Sequence, residues 1–159
     1  MEEILEILEK NSRATVEEIA VMLNRSVEEV RAAIKKYEGD GVILGYTSMI
    51  NWEKTSKESV IALIEVKVTP QRGQGFDKVA ERIYKFPEVK ACYLMSGGFD
   101  LTVIVEGKTM KEVALFVAEK LSPLDSVLST ATHFVLKKYK DKGVIFEEDY
   151  KDDREAVVL

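Results

Sequence analysis

Between residues 2 and 37 the apolar positions recur at helical spacing, and from Val60 onward they alternate as in strands. Ile4, Leu5, Ile7 and Leu8 form one stripe of a helix over residues 2–10. After the loop Asn11–Ala14, Thr15 is followed three residues later by Glu18, just ahead of Ile19, Ala20 and Leu23. This is a capping box. The hydroxyl accepts from a free backbone N–H of the first turn, and the carboxylate accepts from the cap residue's own N–H. Asn24, a residue type that tolerates left-handed backbone, breaks the helix beside Arg25. Ser26 and Glu29 make a second capping box and open a helix with Val27, Val30, Ile34 and Tyr37 on one face, ended by Gly39 and Gly41. Two capped helices joined by so short a turn predict a helix-turn-helix, with Ala20 small where they approach and Val30 packing back on the first.

Glycines bracket the apolar run from Gly41 to Ile50, which predicts a small strand pair or wing. Asn51–Ser59 is polar and rich in turn formers, with Trp52 anchoring one end. A strand is expected over Val60–Thr69, a loop over Pro70–Gly75, a helix over Phe76–Phe86 and a strand over Lys90–Met95. The order then repeats, with a strand at Leu101–Glu106, a helix at Lys108–Leu121 and a strand at Val127–Lys137. That order, βαββαβ, specifies a ferredoxin-like sandwich with helices on one face of the sheet. The expected class is therefore α+β: a winged helix-turn-helix head over residues 1–51, a linker over 52–59, a βαββαβ domain over 60–140 and an acidic tail over 141–159. The apolar element Gly143–Phe146 in that tail is expected to add an edge strand or wrap a partner. Ile61, Leu63, Val66 and Val68 include both parities of the first strand, so both sheet faces need cover, and a second copy of the sheet is the expected cover.

Composition narrows the class. With 46% hydrophobic and 32% charged residues the chain is globular rather than disordered. No apolar run approaches the ~18 residues that span a bilayer, and the acidic start Met1-Glu2-Glu3 is unlike a secretory signal. One cysteine, Cys92, and one histidine, His133, leave no disulfide framework and no zinc site, and fit a cytoplasmic protein without a cofactor. The net charge is −5, and residues 1–51 hold six Lys/Arg against ten Asp/Glu. Within the second capped helix and its turn, however, Arg25, Arg31, Lys35 and Lys36 outnumber Glu28 and Glu29.

Three stretches carry a family resemblance: VEEVRAAIKKYEGDGVILGY from Val27 to Tyr46, PEVKACYLMSGGFDL from Pro87 to Leu101, and VLSTATHFVLKKYK from Val127 to Lys140. Together they resemble the Lrp/AsnC, or feast/famine, transcriptional regulators over about residues 2–140. The resemblance implies a cytoplasmic regulator and a homodimer paired through its C-terminal sheets, often within larger rings. It also implies a small effector, commonly an amino acid, held between C-terminal domains. Ala33, Tyr37, Glu28 and Glu29 depart from the family's recognition helix.

The expected partners are double-stranded DNA and that effector. Arg31 and Lys35 are expected at base edges, Arg13, Arg25 and Lys36 at phosphates, and Glu28 at a cytosine amino group, with the Ser26 helix start also meeting DNA. For the effector, Ser96, Gly97 and Gly98 leave backbone N–H groups for a carboxylate, Asp100 pairs with an ammonium, and the hydroxyls of Thr130 and Thr132 share one strand face. A plain Gly-Gly hairpin turn explains the same loop. His133 is expected on the opposite strand face as a packed or surface residue, and Tyr93 and Tyr139 in the core or an interface. Two rival readings stand beside this one. A tetrapyrrole enzyme on the same sandwich is opposed by the single His133, so an enzyme is not expected. A ligand-sensing assembly protein whose acidic head has lost strong DNA binding is the other.

Overall fold

The computed structural model describes residues 1–70, 72, 73 and 75–146, in two compact units, Met1–Ile50 and Asn51–Leu159. The first unit holds α1 (Glu3–Lys10), α2 (Val16–Leu23) and α3 (Val27–Gly39). Both capping boxes form. Thr15 Oγ1 accepts from the Glu18 amide, and Glu18 Oε2 accepts from the Thr15 amide at 2.8 Å. Ser26 Oγ accepts from the Glu29 amide, and Glu29 Oε2 accepts from the Ser26 amide at 3.0 Å. Asn24 sits at φ 51, ψ 51, and the turn closes when the Arg25 amide donates to the Ala20 carbonyl. Ile4, Leu8, Ile19, Ala20, Val30 and Ala33 make the core of this unit. Ala33 is thus a packing residue, small because α3 meets its neighbours there.

The expected strand pair in Gly41–Ile50 does not form. The Val42 and Ile43 amides both donate to the Tyr37 carbonyl, wrapping the chain around the end of α3, and the Thr47 carbonyl takes the Ser12 hydroxyl. Groups a ladder needs are already used. Tyr46 donates to Glu38 Oε1 at 2.8 Å, and burial, then that carboxylate, pushes the phenol's pKa up.

In the second unit a short 3-10 turn, Trp52–Lys54, leads to β1 (Val60–Val68), α4 (Asp77–Tyr84), β2 (Val89–Leu94), β3 (Leu101–Gly107), α5 (Met110–Phe116) and β4 (Val127–Phe134). The sheet is antiparallel in the order β2-β3-β1-β4, the ferredoxin-like arrangement. Ala62, Ile64, Val66 and Val68 of β1 pack with Val103 and Val105 of β3 under Val79 and Ile83 of α4 and Val113 and Phe116 of α5. Gly107 admits this packing, since a Cβ there meets Val113 Cγ2 at 3.0 Å.

Three expectations are corrected in this unit. The helix expected over Lys108–Leu121 is α-helical only to Phe116 and continues as a π-helical turn, Val117–Leu121, carrying Lys120 to its ion pair with Glu88. β4 stops at Phe134 rather than Lys137, because Val135 makes its last bond to Ile61 and β1 begins at Val60. The element Gly143–Phe146 does not join the main sheet. β6 (Val144–Ile145) folds back on β5 (Lys140–Asp141) through Lys142 and Gly143, both at positive φ, as a tight hairpin requires. The rest of the acidic tail, 147–159, lies outside the described residues.

Opposite the helices, the sheet presents Ile61, Leu63 and Glu65 of β1, Ile104 of β3, and Ala131 and His133 of β4. Ile61, Leu63 and Ile104 are half-buried and, among the described residues, lie outside the core packed under the helices. His133 lies on this face, with Nε2 3.7 Å from Glu65 Oε1. Tyr93 and Tyr139 are exposed, so neither is a core residue.

Candidate DNA-binding face and effector loop

The buried stripe of α3 runs through Val30 and Ala33, with Val27, Ile34 and Tyr37 partly buried beside it. Glu28, Ala32, Lys35 and Lys36 therefore point away, and all are exposed, as are Arg25 and Ser26 in the turn before them. Glu29 is spent on the cap. The hydrogen bonds from the Ser26 backbone and side chain hold its carboxyl below the usual range. The outward side of α3 is left with Lys35 and Lys36 as cations and Glu28 as the acid. Arg13 is exposed too, but on a separate element, the α1–α2 loop, where its amide donates to Asn11 Oδ1.

Arg31 has a neighbour that sequence spacing did not reveal. Its Nη2 lies 3.4 Å from Glu17 Oε1, on the first turn of α2. The two residues are fourteen apart and belong to no common helical period. Only the packing of α2 on α3 joins them.

The Ser96–Asp100 loop is wider than a two-residue primed turn. The Met95 amide donates to the Asp100 carbonyl at 2.8 Å, enclosing residues 96–99. Ser96, Gly97 and Gly98 are exposed, Gly97 has φ +132, and nothing lies within 4 Å of the Cβ either glycine lacks. The width follows from what Asp100 does. Its amide donates to the Val66 carbonyl at 3.1 Å, and its Oδ2 accepts from the Val68 amide at 2.8 Å. One residue thereby ties the end of β3 to the end of β1.

Thr130 lies opposite Val66 and Thr132 opposite Ile64, so both hydroxyls are on the helix-covered side of β4. Thr130 Oγ1 is 3.5 Å from Ser122 Oγ. Leu101, the neighbour of Asp100, and Thr130 flank Val66 from opposite sides of β1, two strand spacings or ~10 Å apart, at the same end of the sheet as the glycines. A concavity of about 180 Å³, lined by Lys57, Lys90, Glu106 and Lys108 among others, lies at the opposite end, where Val60 pairs with Gly107. Among the described residues, no helix is long and apolar enough to cross a membrane.

Comparison with known proteins covers both units. Residues 61–145 match the family model of the Lrp/AsnC ligand binding domain, and residues 2–43 match that of a winged helix-turn-helix DNA-binding domain. The chain is 56% identical over 157 residues to YugG, an HTH-type transcriptional regulator of Bacillus subtilis (strain 168), covering 98% of this chain and 94% of that one. It is 31% identical over 137 residues to the HTH-type transcriptional regulator LrpA of Pyrococcus horikoshii, covering 86% and 94%. In fold it matches the transcriptional regulator NMB0573 of Neisseria meningitidis, solved as a complex with L-Met, with a TM-score of 0.70 at 24% identity over 87% of this chain and 88% of that one.

Proposed function

Because this chain belongs to the Lrp/AsnC family of helix-turn-helix transcriptional regulators, we propose that it acts as a homodimer on a palindromic operator and answers to a small effector, an amino acid or related metabolite. The subunits join through the open sheet face around Leu63 and Ile104, and dimers associate further. Each head lays α3 in a major groove, with half-sites one or more helical turns, about 34–36 Å each, apart. Lys35 and Arg31 reach base edges, Arg25, Lys36 and Arg13 take phosphates, and Glu28 accepts from a cytosine amino group.

The observation carrying this reading is the doubly capped α2–α3 pair, whose exposed side presents Lys35 and Lys36. The test is an electrophoretic shift on the protein's own promoter region at low salt. Lys35→Ala is expected to cost about 1–3 kcal/mol and to relax base preference at one position of each half-site. Lys36→Ala is expected to weaken all sequences alike and to lower the salt slope by about one per head. Equal affinity of both variants and the parent rejects α3 as the reading element.

The effector reading rests on the open Gly97–Gly98 loop beside Asp100, with Ser96, Thr130 and Thr132 supplying hydroxyls. It draws on the L-Met complex of the Neisseria relative as well. Asp100 also holds the Val68 amide, so alanine confounds folding with binding, whereas Asp100→Asn keeps an acceptor oxygen and removes the charge that pairs with an ammonium. In a thermal-shift series with free amino acids, the parent is expected to gain melting temperature with its effector, and Asp100→Asn to lose that gain. An undiminished gain in the variant moves the ammonium site elsewhere.

A further inference from the structure

We propose that Glu17 is an internal competitor for Arg31, holding its guanidinium against α2 in the DNA-free head and releasing it when the head meets a duplex. The inference rests on the reading of α3 as the DNA-facing helix.

Glu17 and Arg31 are both 62% exposed, and their side chains meet across the two helices of the motif at 3.4 Å. The other acids at the two helix starts are accounted for differently. Glu18 is bound to the Thr15 amide and Glu29 to the Ser26 amide and hydroxyl. Glu28 lies on the outward side of α3. Glu17 is thus the acid whose carboxylate is directed at a cation of the recognition helix. In helix-turn-helix docking the first helix of the motif crosses the sugar-phosphate backbone while the second enters the groove. Docked in that way, the first turn of α2 brings the Arg31–Glu17 pair close to phosphate oxygens, which compete with the carboxylate for the same guanidinium. Binding then has to break the Arg31–Glu17 pair before Arg31 makes its own contact. An exposed ion pair of this kind is weak, so it tunes affinity and does not abolish it. Glu17 is in this sense a positioning residue, acting on DNA through Arg31.

The experiment is a double-mutant cycle in the full-length protein, titrating one duplex containing the protein's own promoter region at low salt. Glu17→Gln is expected to bind about fivefold tighter per head, with an unchanged circular dichroism spectrum, since Glu17 makes no cap. Arg31→Ala is expected to bind more weakly than the parent. The decisive measurement is the double variant. If Glu17 acts through Arg31, the Glu17→Gln gain vanishes in the Arg31→Ala background. A gain of the same size there shows only that Glu17 repels phosphate, and overturns the inference. Weaker binding by Glu17→Gln overturns it in the other direction, making Glu17 an aid to the complex. Lys35→Ala in the same titration separates the two levels: if it has no effect, the reading of α3 has failed and this inference fails with it. If it weakens binding while Glu17→Gln changes nothing, only the inference fails.

Discussion

On the proposed pairing of sheet faces, replacing Leu63 with Asp is expected to yield monomers at concentrations where the parent pairs. Leu63 stands in β1 between Ile104 of β3 and His133 of β4, on the sheet face away from the helices. The core packs on the other face, around Ile64, Val66 and Val103, so the substitution leaves the fold of one subunit alone. Twofold pairing of two such faces places the new carboxylate in a dry contact twice, once from each subunit. A buried, unpaired charge costs several kcal/mol, and each 1.4 kcal/mol is tenfold in affinity, so dimerisation is expected to weaken about a thousandfold or more. Sedimentation equilibrium reads the mass, and the far-ultraviolet circular dichroism of the variant should stay near the parental spectrum, while its melting temperature falls by the share that association contributed. A Leu63→Asp protein that sediments as the parent does would show that the subunits join through another surface.

The second large effect is in the head. Ile19 is completely buried in a core with Ile4, Leu8, Ala20, Val30 and Ala33. Ile19→Ala removes three carbons and leaves a cavity, which costs about 2–5 kcal/mol. At about 0.05–0.15 kcal/mol per residue, a unit of the size of Met1–Ile50 has little more than that to lose. The head is expected to unfold near room temperature while the second unit, with its separate core, stays folded. Differential calorimetry should show the parental high-temperature transition retained and a low-temperature one displaced or lost, together with loss of the DNA shift. A single unaltered transition with full DNA binding would mean that the head draws its stability from elsewhere.

What was legible in the sequence is what local chemistry determines. Thr15/Glu18 and Ser26/Glu29 announce helix starts because cap and carboxylate are three residues apart in the chain and satisfy each other's backbone groups without help. The change from a period near 3.6 to a period of 2 at Val60, and its recurrence, gave the βαββαβ order. The exposure of Lys35, Lys36 and Glu28 followed from the Val30 stripe. The misses share a physical origin. Where β4 ends depends on where β1 begins, a relation across the sheet. The strands expected after Gly41 fail because the Tyr37 carbonyl takes the Val42 and Ile43 amides, a competition that spacing does not display. The π-helical turn at Val117–Leu121 has no composition of its own. The Arg31–Glu17 pair and the hold of Asp100 on Val68 come from tertiary packing, and neither partner is marked in the sequence.

The hold of Asp100 on β1 also bears on how variants of this protein will sort in a genetic screen. If this side chain, which fastens two strands, also receives an ammonium as proposed, it serves two masters, and most replacements at 100 are expected to surface as poorly folded protein rather than as a regulator deaf to its signal. Alleles that stay abundant yet do not respond to an effector are expected instead at Ser96, Gly98 and Thr130, where no comparable strand-to-strand tie is at stake.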